Sequence, residues 1–223
     1  ILAQDRQGLK REVWHLTRVV AMAHSLGALE VREEEGLGCC AFVVCDVEAG
    51  TEVLREEPLL VAATGTVDPV VLEQALKLNI TPEDGPSDKW SPWSREAFSL
   101  LEVEHLLGLL QSYAASSKET RQAVLQLDDD IEHAGVAVLL RELASLSSAH
   151  GLHRGLRPAE ARCVLRVAWV NALPFGEDGA AVHKVASRCA HSCRPNAMYV
   201  ADGAVCRLIA AQDLAMGSRV EIS

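Results

Sequence analysis

The spacing of hydrophobic positions changes several times along this chain. Between residues 7 and 26, Leu9, Val13, Leu16, Val20 and Ala23 recur at helical spacing, and Gly27 supplies a stop. The period then shortens. GLGCCAFVVCDVEAGTEVLREEPLLVAA holds two glycines, a β-rich apolar run, a turn from Asp46 to Gly50, and a second β-like run ending at Pro58. It predicts two strands joined by a turn. Helical spacing returns from Thr66 to Ala168. Asp68-Pro69 opens one helix, with proline at the first position, where its missing N–H costs little. Gly85, Pro86 and Pro92 mark a loop. Ser94 is read as the cap of a second helix, with Leu100, Val103, Leu107 and Leu110 on one face. A third begins near Ser117 and carries DDDIE at 128–132, read as a solvated face, with an interruption at Gly135. Pro158 opens the last helix, whose stripe is Ala161, Val164, Leu165, Ala168 and Trp169. These stripes call for core packing rather than a cofactor.

After Asn171 the texture is β again. AMYVADGAVCRLIA reads as a hairpin around Asp202-Gly203, and DLAMGSRVEIS as a turn followed by a strand. The order is helix, strands, helical block, strands. It predicts an α+β protein in which both β parts join one sheet system, because each alone is too small to bury its own face.

Bulk composition narrows the function classes. The 223 residues are 49% hydrophobic, enough for one good-sized core or one core with a satellite. A net charge of −10 disfavours direct nucleic-acid binding and suits basic partners such as Lys-rich protein tails. The seven cysteines read as thiols of a reducing compartment. No signal peptide and no membrane-length apolar run is found, so the expected location is intracellular, nuclear or cytoplasmic. Ile1 at the start and VEIS in mid-strand at the end read as an excerpt.

RCAHSCRPNA, residues 188–197, carries the densest chemistry. Cys189, His191 and Cys193 alternate, so on a strand they share one face at roughly 6.6 to 7 Å spacing, wide for one metal ion. A Cys193–His191 nucleophile pair would lack the helix N-terminus that lowers a thiol pKa. Burial of His191 and Cys193 against backbone partners is the third reading.

AHSCRPNAMYV resembles the Asn-His-Ser-Cys-x-Pro-Asn signature of SET-domain protein lysine methyltransferases, through His191, Ser192, Cys193, Pro195 and Asn196. Three further segments resemble that family in the same order: EEGLGCCAFVVCDVEAGTEVLREEPLL, AWVNALPF and CRLIAAQDLAMGSRVEIS. The nearest subgroup is the SMYD-like one, whose SET region is also split by an insert. Its MYND zinc finger has no counterpart here, since no cysteine lies between Cys45 and Cys163.

The resemblance implies a β-rich SET fold of small sheets, with a pseudoknot at Pro195-Asn196 through which a later segment threads. The implied parts are an N-terminal helix (1–29), a first SET part (30–62), a helical insertion (63–157) and a second SET part (158–223). It implies S-adenosylmethionine as cofactor, bound by Gly36, Leu37, Gly38, Asn171, Ala190 and His191. The implied partner is a protein with an accessible lysine, a histone among the candidates. It also implies zinc at Cys193, completed by cysteines beyond Ser223. Backbone lying against a ligand tolerates no Cβ, which suits Gly36 and Gly38. Asn171 could instead cap its helix.

Two departures stand out. Ala190 replaces the family's Asn, and an unmet polar partner there costs about 1 to 3 kcal/mol, one to two decades of affinity. The stretch from Gly38 to Gly50 is longer than the family pattern. The catalytic tyrosine is expected beyond Ser223, so residues 1–223 alone are expected to show no turnover. The alternative is a catalytically inactive SET-like protein-interaction module.

Overall fold

A computed structural model describes residues 28–78, 99–131, 134–153 and 155–223. The expected helix over 7–26, the loop at Gly85, Pro86 and Pro92, and the cap at Ser94 lie outside them.

The chain enters as an antiparallel hairpin, β1 (Leu29–Glu34) and β2 (Gly38–Val43), in register Glu34↔Gly38. β3 (Glu52–Glu56) and β4 (Leu60–Ala63) follow. Five helices come next: α1 (Pro69–Lys77), α2 (Leu100–Ala115), α3 (Lys118–Val124), α4 (Ala134–Ala149) and α5 (Pro158–Asn171). The chain ends in β5 (Ala172–Phe175), β6 (Gly179–Val182), a short 3₁₀ turn (Ala186–Arg188), β7 (Ala190–His191), β8 (Ala197–Asp202), β9 (Val205–Ala210) and β10 (Glu221–Ile222).

Early and late strands do share sheets. One sheet runs β3-β9-β8 and another β4-β6-β5, both antiparallel, while β10 pairs parallel with β7. β9 shows the reason at residue level: Cys206, Leu208 and Ala210 are buried at every second position. β8 and β9 meet as the predicted hairpin, closing on Gly203 at φ 62°. The architecture is α+β.

The expected pairing of the 38–43 and 52–56 strands does not form. β2 pairs with β1, and β3 with β9. The residues between them bond the segment after β9 instead: Val47 exchanges two backbone hydrogen bonds with Leu214, and Ala49 N–H donates to Asp213 Oδ1 at 2.9 Å. The chain from Gly38 to Gly50 therefore links two sheets rather than closing one hairpin. Leu29, expected at the end of a helical segment, begins β1. Its alternation of Leu29 and Val31 with Glu30 and Arg32 is a strand pattern.

Helix caps follow local chemistry. Asp68 Oδ1 accepts from Val70 N at 2.8 Å, with Pro69 behind it, and Ser117 Oγ accepts from Thr120 N. α2 is capped by Ser99, because Glu102 three residues on completes a reciprocal capping box. Gly135 lies inside the first turn of α4 and does not interrupt it. Among the described residues no helix is long and apolar enough to cross a membrane.

Two apolar cores result. The larger packs Leu106, Leu107, Leu110, Leu140, Leu143 and Leu165 of the helices onto Leu60, Ala62, Ala180 and Val182 of the β4-β6-β5 sheet. Each fully buried leucine contributes roughly 1.5 to 3 kcal/mol. The smaller joins Ala41, Val43, Leu54, Ala197, Leu208, Val220 and Ile222. The α5 residues belong to the larger core, and the helix leads directly into β5.

Helix α2 lies against β4 so closely that a Cβ on Gly108 would sit 2.8 Å from Ala62 Cβ. Helix propensity favours alanine by about 1 kcal/mol, while overpacking costs about 1 to 3 kcal/mol. Gly108→Ala is expected to lower unfolding free energy by about 1 kcal/mol or more in urea titration. A stabilised variant would show that the helix–sheet spacing is not set here.

Candidate functional site

The terminal segment, residues 217 to 222, runs between β2 on one side and the 190–196 loop on the other. Toward β2, Gly217 N–H donates to Val43 O, Val43 N–H to Ser218 O, and Val220 N–H to Ala41 O, at 2.8 to 2.9 Å. Toward the loop, Ala190 N–H donates to Val220 O, and Ser192 N–H to Ile222 O. Asn196 closes the other end. Its Oδ1 accepts from Glu221 N at 2.8 Å, its Nδ2 donates to Arg219 O at 2.8 Å, and its N–H donates to Glu221 O. Its carbonyl accepts from Ala211 N. The position therefore needs a side chain offering a donor and an acceptor together, which asparagine has and aspartate lacks.

The glycine hairpin approaches from the β2 side. Leu37 N–H donates to Glu34 O at 3.1 Å, and Gly36 and Gly38 hold φ of 77° and 76°, the left-handed region that favours glycine. A Cβ on Gly38 would lie 3.3 Å from the Asp128 carboxylate, while nothing lies within 4 Å of one on Gly36. Leu37 is exposed. Glu34, at the end of β1, pairs with Arg219 at 3.2 Å, and Arg219 pairs with Glu221 at 2.7 Å. That chain of charges ties the hairpin to the terminal strand.

Asp128 is the second hinge of this region. Asn171, buried at the end of α5, donates its amide to Asp128 O at 2.6 Å and to Val167 O at 2.8 Å. Arg188, buried in the 3₁₀ turn, donates to Gln126 O at 2.8 Å and stands 4.0 Å from Asp128 Oδ2. Arg166 donates twice to Asp129 O. The acidic run was expected to be a solvated helix face. Its first two residues instead lie in a linker whose backbone carbonyls anchor α5, while the carbonyl of Gln126, just before the run, anchors the 3₁₀ turn.

The predicted residues fall as follows. Gly36, Leu37 and Gly38 form the tip of the β1–β2 hairpin, and Ala190 and His191 form β7, with His191 exposed. Both groups flank the same terminal segment. Asn171 lies one residue contact away, through Asp128, with both amide protons held inside the protein. Cys193 is exposed beside the Ser192–Arg194 turn, where Arg194 N–H donates to Ser192 Oγ. None of the seven cysteines is in a disulfide. Burial, with Glu34 second, raises the Cys40 thiol pKa. Sequence reading missed Asp128, Arg188 and Arg219, because exposed charge runs and single arginines have no local signature of their partners.

No protein-family profile matches the chain, and no curated protein matches it. Among solved structures it is similar to the SET domain of LSMT bound to lysine and AdoHcy, at 14% identity and TM-score 0.43, over 98% of this chain and 52% of that one. It is also similar to Rubisco LSMT bound to AdoMet, at 14% identity and TM-score 0.45, over 98% and 51%. A third is the Neurospora SET domain protein DIM-5, a histone lysine methyltransferase, at 14% identity and TM-score 0.32, over 87% and 51%. The chain spans about half the length of each. At such values the likeness assigns no activity.

Asn196→Ala leaves the Glu221 N–H and Arg219 carbonyl without partners, at about 1 to 3 kcal/mol each. The urea midpoint is expected to fall accordingly, and to fall further for Asn196→Asp, whose carboxylate faces the Arg219 carbonyl. A midpoint unchanged in both variants would show that the terminal segment is held without this side chain.

Proposed function

We propose that this chain is a divergent, SMYD-like SET-domain part of an S-adenosylmethionine-dependent protein-lysine N-methyltransferase. The observation that carries the reading is that one terminal segment bonds both β2, the strand that leaves the Gly36–Gly38 turn, and the Ala190–Asn196 signature. These are two of the four resembling motifs, far apart in sequence. The return of β10 beside β7, held by Asn196, supports the threaded arrangement that the resemblance implies.

The residues present fit a cationic methyl donor. Its ammonium and sulfonium are positive, and the carboxylates of Asp128 and Glu34 flank the hairpin. Space is open above Gly36. The holding residues would be Gly36, Leu37, Gly38, Ala190 and His191. Asn171 would act through its carbonyl side or by holding Asp128. When bound, the donor supplies an electrophilic methyl to a neutral lysine amine. The protein's share is orientation and exclusion of water. The substrate class is a protein with an accessible lysine, histones included, which the chain's acidic balance suits. An intracellular setting and a zinc ion at Cys193 with later cysteines belong to the same reading.

Ala190 favours a second reading, an interaction module built on the same fold and lacking catalysis. Calorimetry separates the two. S-adenosylmethionine is expected to bind the chain weakly, and Ala190→Asn to tighten binding by about one to two decades. Methyl transfer to protein lysine would then be followed with the full-length protein. No heat of binding at millimolar cofactor in either form would remove the methyltransferase reading and leave the module.

A further inference from the structure

Behind the β3-β9-β8 sheet lies a group of side chains that the methyl-donor reading does not use. Glu56 ends β3, Cys206 sits opposite it on β9, and His183 follows β6. Ligand atoms of the three lie within 4.8 Å of one another, and His183 and Cys206 are fully buried. We propose that Glu56, His183 and Cys206 form a metal site suited to zinc, held inside the smaller core.

The donor set selects the ion. Thiolate, imidazole and carboxylate together suit zinc, whereas magnesium and calcium ask for oxygen alone. Bonds of about 2.0 to 2.3 Å in a tetrahedron place ligand atoms about 3.3 to 3.8 Å apart, so closure needs shifts of about an ångström. Three protein ligands leave a fourth position, and Cys189 and Tyr199 pack against the same core.

A purely structural account covers only part of this arrangement. Glu56 accepts from Val185 N–H at 3.2 Å and Ala186 N–H at 2.6 Å, which caps the 3₁₀ turn. His183 Nε2 meets the Tyr199 hydroxyl at 3.1 Å, and its ring packs edge-on to Tyr199. Its Nδ1 is buried with no hydrogen-bond partner. A buried nitrogen without a partner is unfavourable, so hydrogen bonding does not account for the whole ring. A carboxylate has lone pairs beyond those its backbone donors use, and the backbone bonds would hold Glu56 in place as a ligand.

Protonation is consistent with this. Burial lowers the His183 pKa to about 4, so the imidazole is neutral and its lone pair is available. Burial, then Glu56, pushes the Cys206 thiol up to about 12, and burial raises Glu56 despite its backbone donors. A divalent cation reverses both tendencies, because it stabilises thiolate and carboxylate in a site too dry for either alone. Binding releases the Cys206 thiol proton to solvent.

The test uses the chain itself, stripped with chelator and titrated with Co²⁺, then Zn²⁺. The expected result is one ion per chain, with a near-ultraviolet thiolate-to-cobalt band that zinc abolishes. Cys206→Ser is expected to lose that band, and His183→Gln to weaken binding at least about tenfold, the loss of roughly 1.4 kcal/mol. Cys45→Ser, at an exposed thiol outside the cluster, is expected to change nothing. A folded wild-type chain that binds no Co²⁺, or binds it without a thiolate band, overturns the site even if the variants fail to fold. So does a band lost in Cys45→Ser and kept in Cys206→Ser. The result does not depend on cofactor binding, so either proposal can fail alone.

Discussion

One side chain governs how the β parts close. Asn196 offers a donor and an acceptor to two consecutive stretches of the terminal segment, and its own N–H and carbonyl are used as well. The parallel pair β7–β10 is only two residues long on each strand. So short a ladder cannot define register by itself. With Asn196 in place the segment is fixed at both edges, Val220 reaches the smaller core, and β2 gains a neighbour through Ala41 and Val43. β2 and the 190–196 loop are thereby joined to one common element.

The helical block contributes more than bulk. The linker after α3 supplies the carbonyls of Gln126, Asp128 and Asp129 to Arg188, Asn171 and Arg166, and the Asp128 carboxylate stands against Gly38. Charge on a chain at −10 would otherwise be self-repelling. Here two buried or half-buried arginines convert part of it into anchoring. Arg219 does the same between Glu34 and Glu221, and those carboxylates hold its pKa above the ordinary value. Such ion pairs add little when exposed, so their role is position more than stability.

The smaller core is unusual in what it accepts. Glu56, Tyr199 and Cys206 belong to a sheet whose buried residues include Leu54, Ala197, Leu208 and Ala210, and His183, just after β6, joins them. Polar groups in a core are tolerated when each has a partner. Most of these do, and His183 Nδ1 does not. That imbalance is one of the observations behind the proposed metal site.

The local rules were legible in the chain. Helical stripes, the caps at Asp68 and Ser117, the Gly203 hairpin and the alternation of β9 follow from spacing and from side chains that bond their own backbone. So did the joining of early and late strands, because neither half could bury a face alone. Ser99 was missed although its box with Glu102 is a short-range signal, and β1 was missed because its outer positions are charged. Partner choice was not legible. Nothing near Asp128 announces Asn171, forty-three residues later, and Glu56, His183 and Cys206 share no motif. Sequence by itself determined which segments could be helix or strand and which motif residues were chemically capable. Tertiary structure alone decided which of them meet, because long-range contacts are set by the burial of whole faces, and no residue encodes its distant neighbour locally.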